Sequence, residues 1–145
     1  QGLWPGRDET LHRLHSYFES EGDREDILPF GEGVLYEDAL PIQLRELDGP
    51  FASGGDWSGK ILPTLWHHRM RHVPLEAVDA TIGREPVEID GDSVIRFTVR
   101  YLDVIVTYDI EDTPPRRLLG WEHSDGTQFR LHKTARLPYW QLNQP

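Results

Sequence analysis

The sequence predicts a mainly β (or α+β) protein: an antiparallel meander curved into a half-barrel-like sheet, with one N-terminal helix and long loops. Three observations carry that prediction. Residues 75–136 alternate apolar and polar side chains with period two, as strands with one buried face do. Asp-Gly pairs punctuate the alternation in "DGDS" (90–93) and "SDGT" (124–127), the strongest short-range hairpin signal. Residues 1–74 are instead rich in Pro, Gly and acidic residues, with apolar residues in short bursts. The 145 residues fit one domain, long enough to bury a core without disulfide or metal staples.

The first element is read from "DETLHRLHSYFESEG". As a helix it is capped by Asp8 or Thr10, buries Leu11, Leu14, His15 and Phe18, and ends at Gly22. The same residues also fit a strand through Leu11, Arg13, His15 and Tyr17, with a poorer face; the helix is the better fit. "GVLYED" and "PIQLREL" read as short strands. "DGPFASGGDWSGK" (48–60) reads as a long Gly/Ser loop, of a length that often marks a lid or binding loop.

"LPTLWHHRMRH" (62–72) joins that loop to the meander and so is expected to cross an end or mouth of the sheet, with Trp66 buried as an anchor. The meander opens with "LEAVDATIGREPVEI", one strand or a pair broken at Gly83. In "SVIRFTVRY" Ile95, Phe97, Val99 and Tyr101 share a face, opposite Val94, Arg96, Thr98 and Arg100. "LDVIVTYDI" repeats the pattern with Leu102, Val104, Val106, Tyr108 and Ile110. The step between these two runs is a bend or a tight hairpin. "DTPPRR" interrupts the ladder, because proline has no N–H to give. "RLLGWEH" sets Leu119 and Trp121 on one face, and "TQFRLHK" sets Phe129 and Leu131 on one face. Residues 137–145 form an extended tail, with Tyr139 and Trp140 packing back over the sheet or marking a contact surface.

Composition narrows the function. The net charge is −10 and the pI about 5.0. Such a surface repels phosphate backbones, so no nucleic-acid partner is expected. No apolar run approaches the ~18 residues of a spanning helix, so no transmembrane segment is expected. The absence of cysteine excludes thiolate catalysis, disulfides and Cys-ligated metals. Thirteen arginines against two lysines suit forked recognition of carboxylate or phosphate, although genome composition produces the same bias. The chain opens at "QGLWPG" without Met, as a cleaved mature protein or a trimmed chain would.

Three of the seven histidines lie within 67–72. On a helix His68 and His72 share a face at zinc-ligand spacing, with Glu76 or Asp79 as a further donor. Arg69 and Arg71 oppose a cation there, and no HExxH motif is present. His123-Ser-Asp125 has the form of an iron facial-triad pair, with His132 across the same hairpin, but Asp125 sits where a turn needs it. No nucleophile elbow and no phosphate loop occur, and no cofactor is expected.

The run from "TIGREPVEIDGDS" to "DGTQFRL", together with "LPTLWHH", resembles the C-terminal half of uncharacterised bacterial envelope proteins akin to the LolA-type lipoprotein carriers. The resemblance covers about residues 60–136 and rests on turn chemistry; it brings no catalytic residues. It implies an open half-barrel whose apolar concave face holds an acyl chain or lipid-like ligand. The aromatic residues of the strands agree with such a groove, with Trp66, His68, Phe97, Trp121 and Phe129 as its candidate lining. The expected function is therefore a non-catalytic envelope protein, periplasmic or secreted, that binds an apolar or amphipathic ligand or a partner protein on its curved sheet. Two alternatives stand beside it. One is an enzyme with a His-centred, metal-dependent or metal-free site around 66–72. The other is an interaction domain of a larger protein, recognising partners through a sheet edge.

Overall fold

A computed structural model of the chain describes residues 2–15, 22–46, 51–52, 54–138 and 140. Two sheets form. The smaller is antiparallel, ordered β1 (Gly2–Pro5), β2 (Thr10–Leu14), β3 (Arg24–Leu28). The larger has seven strands and curls into a half-barrel. In chain order they are β4 (Val34–Tyr36), β5 (Trp57–Leu62), β6 (Val78–Ile89), β7 (Asp92–Tyr101), β8 (Val104–Glu111), β9 (Leu118–His123) and β10 (Gln128–Arg130). Their spatial order is β10-β9-β8-β7-β6-β5-β4. Two short helices accompany the sheet: α1 (Leu40–Gln43), entered through a 3-10 turn at Glu37–Ala39, and α2 (Leu65–Arg71).

The expected N-terminal helix over 8–22 does not form in its described part, because Thr10–Leu14 is β2. The apolar stripe is thin there, and neighbours on both sides satisfy the backbone of these residues instead. Thr10 and His12 point inward, the opposite phase from the alternative strand reading. The Thr10 hydroxyl donates to Phe30 O at 2.7 Å and shares a hydrogen bond of 2.7 Å with Tyr36 Oη, which ties the small sheet to the large one. Residues 16–21, including Phe18, lie outside the described residues.

The meander follows its turn chemistry. Ile89 faces Asp92 across a two-residue loop in which Asp90 and Gly91 both have positive φ, as a type I′ hairpin requires. Tyr101 faces Val104 across Leu102-Asp103, so the untyped step is a tight hairpin, with Leu102 at φ +46°. β6 runs unbroken through Gly83. Pro86 is tolerated because β5 pairs β6 only as far as Ile82, so nothing beyond needs its missing N–H on that side.

Inward residues match the predicted face of β7 and β8, with Val94 buried as an addition, except that Leu102 falls in the turn and is 69% exposed. β9 departs from expectation. The register against β8 shifts between Asp109 and Ile110, so Leu118, not Leu119, joins Trp121 on the core side. "PIQLREL" is not a strand in its described part, 41–46: Pro41 at the start of α1 fits a helix, and Leu40 and Leu44, four apart, are both fully buried. The Gly/Ser loop is shorter than expected, since β5 starts at Trp57. β4 lies parallel to β5, which the long connection through α1 permits.

α1 and Phe51 fill the middle of the concave face. Phe97, 1% exposed, meets Phe51 edge-on at 6.4 Å between centroids. Arg116, in the "DTPPRR" loop, locks this plug. Its guanidinium donates to Glu46 O at 3.3 Å and Leu44 O at 3.5 Å, the free carbonyls past the end of α1. Its own carbonyl accepts from Arg45 Nε at 2.7 Å.

Candidate functional site

The half-barrel is filled in its middle and open at one end. There α2 stands off the sheet, leaving a cleft of about 450 Å³. Trp66, Met70 and Pro41 form one wall; Val106, Tyr108 and Trp121 form the other. Glu37 and Asp38 lie at the junction, and His67, Arg71, His123 and Asp125 line the remaining rim.

α2 owes its position to local rules. Thr64 caps it, its hydroxyl accepting from His67 N at 3.0 Å. The helix ends at His72, whose left-handed φ of +53° stops further turns. Two carboxylates from the 3-10 turn meet the free N–H groups of its first turn. Glu37 Oε2 accepts from Thr64 N at 3.0 Å, and Asp38 Oδ2 from Leu65 N at 3.0 Å. Glu37 Oε2 also accepts from Tyr101 Oη at 2.7 Å. Trp66 and Met70, one turn apart, therefore face the cleft together.

The electrostatics follow burial. Glu37 is 3% exposed, and burial holds its carboxyl above the usual range, against the pull of the Tyr101 and Thr64 hydrogen bonds. Burial, then the nearby Glu37 charge, pushes the Tyr101 and Tyr108 phenols upward, so both stay neutral. Burial and the Arg71 charge push His67 below the usual His range. His67 lies edge-on to Tyr101, 6.2 Å between centroids.

Of the residues singled out from sequence, Trp66 and Trp121 come together in this cleft. Trp66 is not the expected buried anchor: it is 68% exposed, because α2 turns its Trp66–Met70 face to the opening. His68 is buried on the other side of α2, with both ring nitrogens lacking a well-formed hydrogen bond; burial lowers its pKa while the Pro74 and Val73 backbone opposes. Phe97 belongs to the sealed core and reaches no cleft. Phe129 faces Trp121 across β9–β10 but lies outside the lining, half exposed. His72 is exposed at the left-handed cap, so the expected shared helical face with His68 does not exist.

Among the described residues no group of three or more His, Asp and Glu side chains is placed to hold a metal ion. The His123/Asp125 pair serves its turn: Asp125 N donates to His123 Nδ1 at 3.1 Å, and Thr127 N to Asp125 Oδ1 at 2.8 Å. His123 faces Thr127, not His132, since His123 N donates to Thr127 O at 2.8 Å. Trp140 is 68% exposed, and Tyr139 lies outside the described residues.

Sequence reasoning missed Glu37, Asp38, Tyr108 and Met70. The signal for the first two was "YEDALP": an acidic pair between a strand and a helix-starting proline. Comparison with protein-family models, curated proteins and solved structures gives no match to this chain.

Proposed function

We propose that the protein is a non-catalytic bacterial envelope protein that binds a small apolar or amphipathic ligand in the cleft between α2 and the β8–β9 face. One observation carries this reading: Trp66, 68% exposed, and Trp121 line the same cleft, together with the buried carboxyl of Glu37. Exposed aromatic walls with a few convergent polar groups are the usual make-up of a ligand site, and the cleft volume falls in the usual range of about 300–1,000 Å³. The resemblance of about residues 60–136 to uncharacterised envelope proteins akin to the LolA-type carriers supports the envelope location and the lipid-like character of the ligand. The half-barrel architecture is compatible with it. The plug of α1 and Phe51 confines the ligand to the open end of the barrel, unlike a groove along the whole sheet.

Titration with the neutral probe N-phenyl-1-naphthylamine, read by its fluorescence, tests the binding. One saturable site displaced by extracts of the native host is expected; only weak, non-saturable partition sinks the reading. Fractionation of the host tests location separately, with recovery in the periplasmic or secreted fraction expected.

The His-centred enzyme is the second reading, favoured by one observation. His67, held towards neutrality, touches Tyr101, whose hydroxyl donates to the protonation-prone Glu37. A neutral imidazole and a raised carboxyl are the components of acid–base work. Turnover of a bound extract component, abolished by His67→Ala, would favour it over simple binding.

A further inference from the structure

Glu37 is 3% exposed and lines the cleft. Its Oε2 satisfies two donors, Tyr101 Oη and Thr64 N, and so has a structural task in seating α2. Its Oε1 accepts no hydrogen bond from any described residue, yet Glu37 lines the cleft. Oε1 is not among the buried side-chain atoms left without a partner, so it keeps access to the opening, where a donor on a ligand can reach it.

The surroundings specify which donor. Trp66, Trp121 and Tyr108 offer aromatic surface that attracts a cation and rejects an anion. Glu37 and Asp38 line the cleft with one guanidinium, Arg71, while Asp125 is taken up by its own turn and His123. Arg71 is exposed at the end of α2, where solvent and salt screen it, whereas Glu37 lies at the desolvated floor. His67 is held towards its neutral form, and His123 is engaged with Asp125 at 3.0 Å. The overall charge of −10 draws cations to the mouth.

We infer that the ligand is an amphipathic amine, its apolar body lying between Trp66 and Trp121 and its ammonium donating to Glu37 Oε1. This names the ligand class of the same cleft and rests on the binding reading above. A charge-assisted hydrogen bond at a buried site is the strong kind, which sets the expected preference.

The test titrates the full chain with octylamine, 1-octanol and octanoate at neutral pH, below their aggregation limits, by calorimetry and tryptophan fluorescence. Octylammonium is expected to bind on the order of tenfold tighter than octanol, with octanoate weakest. Glu37→Gln retains an acceptor for Tyr101 and Thr64, and is expected to erase the amine's advantage while leaving octanol within about threefold. Equal affinity for amine and alcohol, or a preference for octanoate, overturns the amine and leaves the cleft reading intact. Failure of all three to bind overturns both. If Glu37→Gln fails to fold, the three-ligand comparison on the unaltered protein still decides.

Discussion

The same concave face is sealed in its middle and open at its end, and strand β8 serves both. Around Phe97, the face is closed by the apolar side chains of Leu40, Leu44 and Phe51. A few residues along, Val106 and Tyr108 continue the same apolar row, but they share a cleft with exposed Trp66 and Met70 of α2 and with Glu37 of the 3-10 turn. The difference lies in what sits on top. α1 presents leucines four apart and is pinned by Arg116, whereas α2 is seated through carboxylates at its N-terminus. A half-barrel thus spends its middle on stability and leaves its end for recognition. Substitutions at the two places are expected to have separable effects.

The largest expected effect is in the sealed middle. Phe97→Ala removes a fully buried ring that meets Phe51 edge-on, and large-to-small changes of this kind cost about 3–5 kcal/mol. Urea denaturation followed by circular dichroism measures it; a loss under about 1 kcal/mol means the plug collapses into the gap or never sealed it. Arg116→Met comes next. It keeps the stem but removes both hydrogen bonds to the α1 carbonyls, which are long, for a loss of about 1–2 kcal/mol. An unchanged denaturation midpoint would show that α1 stays in place by leucine burial alone.

The sealed middle was legible in the sequence and the open end was not. Strict alternation in β7 and β8 announces one buried face, and Asp-Gly pairs fix the register, so Phe97, Val99 and Ile110 fall in place from spacing alone. β9 escaped because a bulge resets its phase by one residue, which alternation cannot foresee. The strand reading of "PIQLREL" failed for a related reason: Pro41 and the Leu40/Leu44 spacing fit a helix as well as a strand, and burial against the sheet decided. Trp66 was misplaced because a tryptophan is usually buried, and only the direction of α2 shows otherwise. Glu37 was invisible because its partners, Thr64 and Tyr101, are 27 and 64 residues away. The histidine cluster drew attention by proximity, yet the helix sends His67, His68 and His72 to three different places.

The pH dependence sharpens the contrast. Burial, with Asp38 acting in the same direction, holds the Glu37 proton more tightly in the fold than in the unfolded chain; Tyr101, Thr64 and His123 act against this. Its contribution is therefore complete below the unfolded value of 4.5 and is lost as pH rises through the folded value. Glu37→Gln removes that loss, so its stability relative to wild type is expected to grow from pH 4 to neutrality in a denaturation series. Curves that run parallel would contradict it. The surface carboxylates tilt the other way. Asp26 beside Arg24, Glu111 beside Arg117 and Asp125 under Thr127 N–H all have lowered pKa values, so their contributions are lost only as pH falls further.

Trp66→Ala is expected to do least to stability and most to recognition. Its ring is 68% exposed, so truncation forfeits little burial, and alanine is the better helix former at that position. The net change is expected within about 0.5 kcal/mol. Binding of N-phenyl-1-naphthylamine, by contrast, loses one of two facing aromatic walls, and a fall in affinity on the order of tenfold follows from removing a stacked ring. Trp121→Ala supplies the control, because that ring packs partly against the core and faces the cleft as well, so both readouts should fall together. A Trp66 variant that unfolds early would mean that α2 depends on this ring. A Trp66 variant that binds normally would mean that the opening at the end of the barrel is an accident of packing. Loss of binding at full stability is the outcome that a site built on an exposed wall requires.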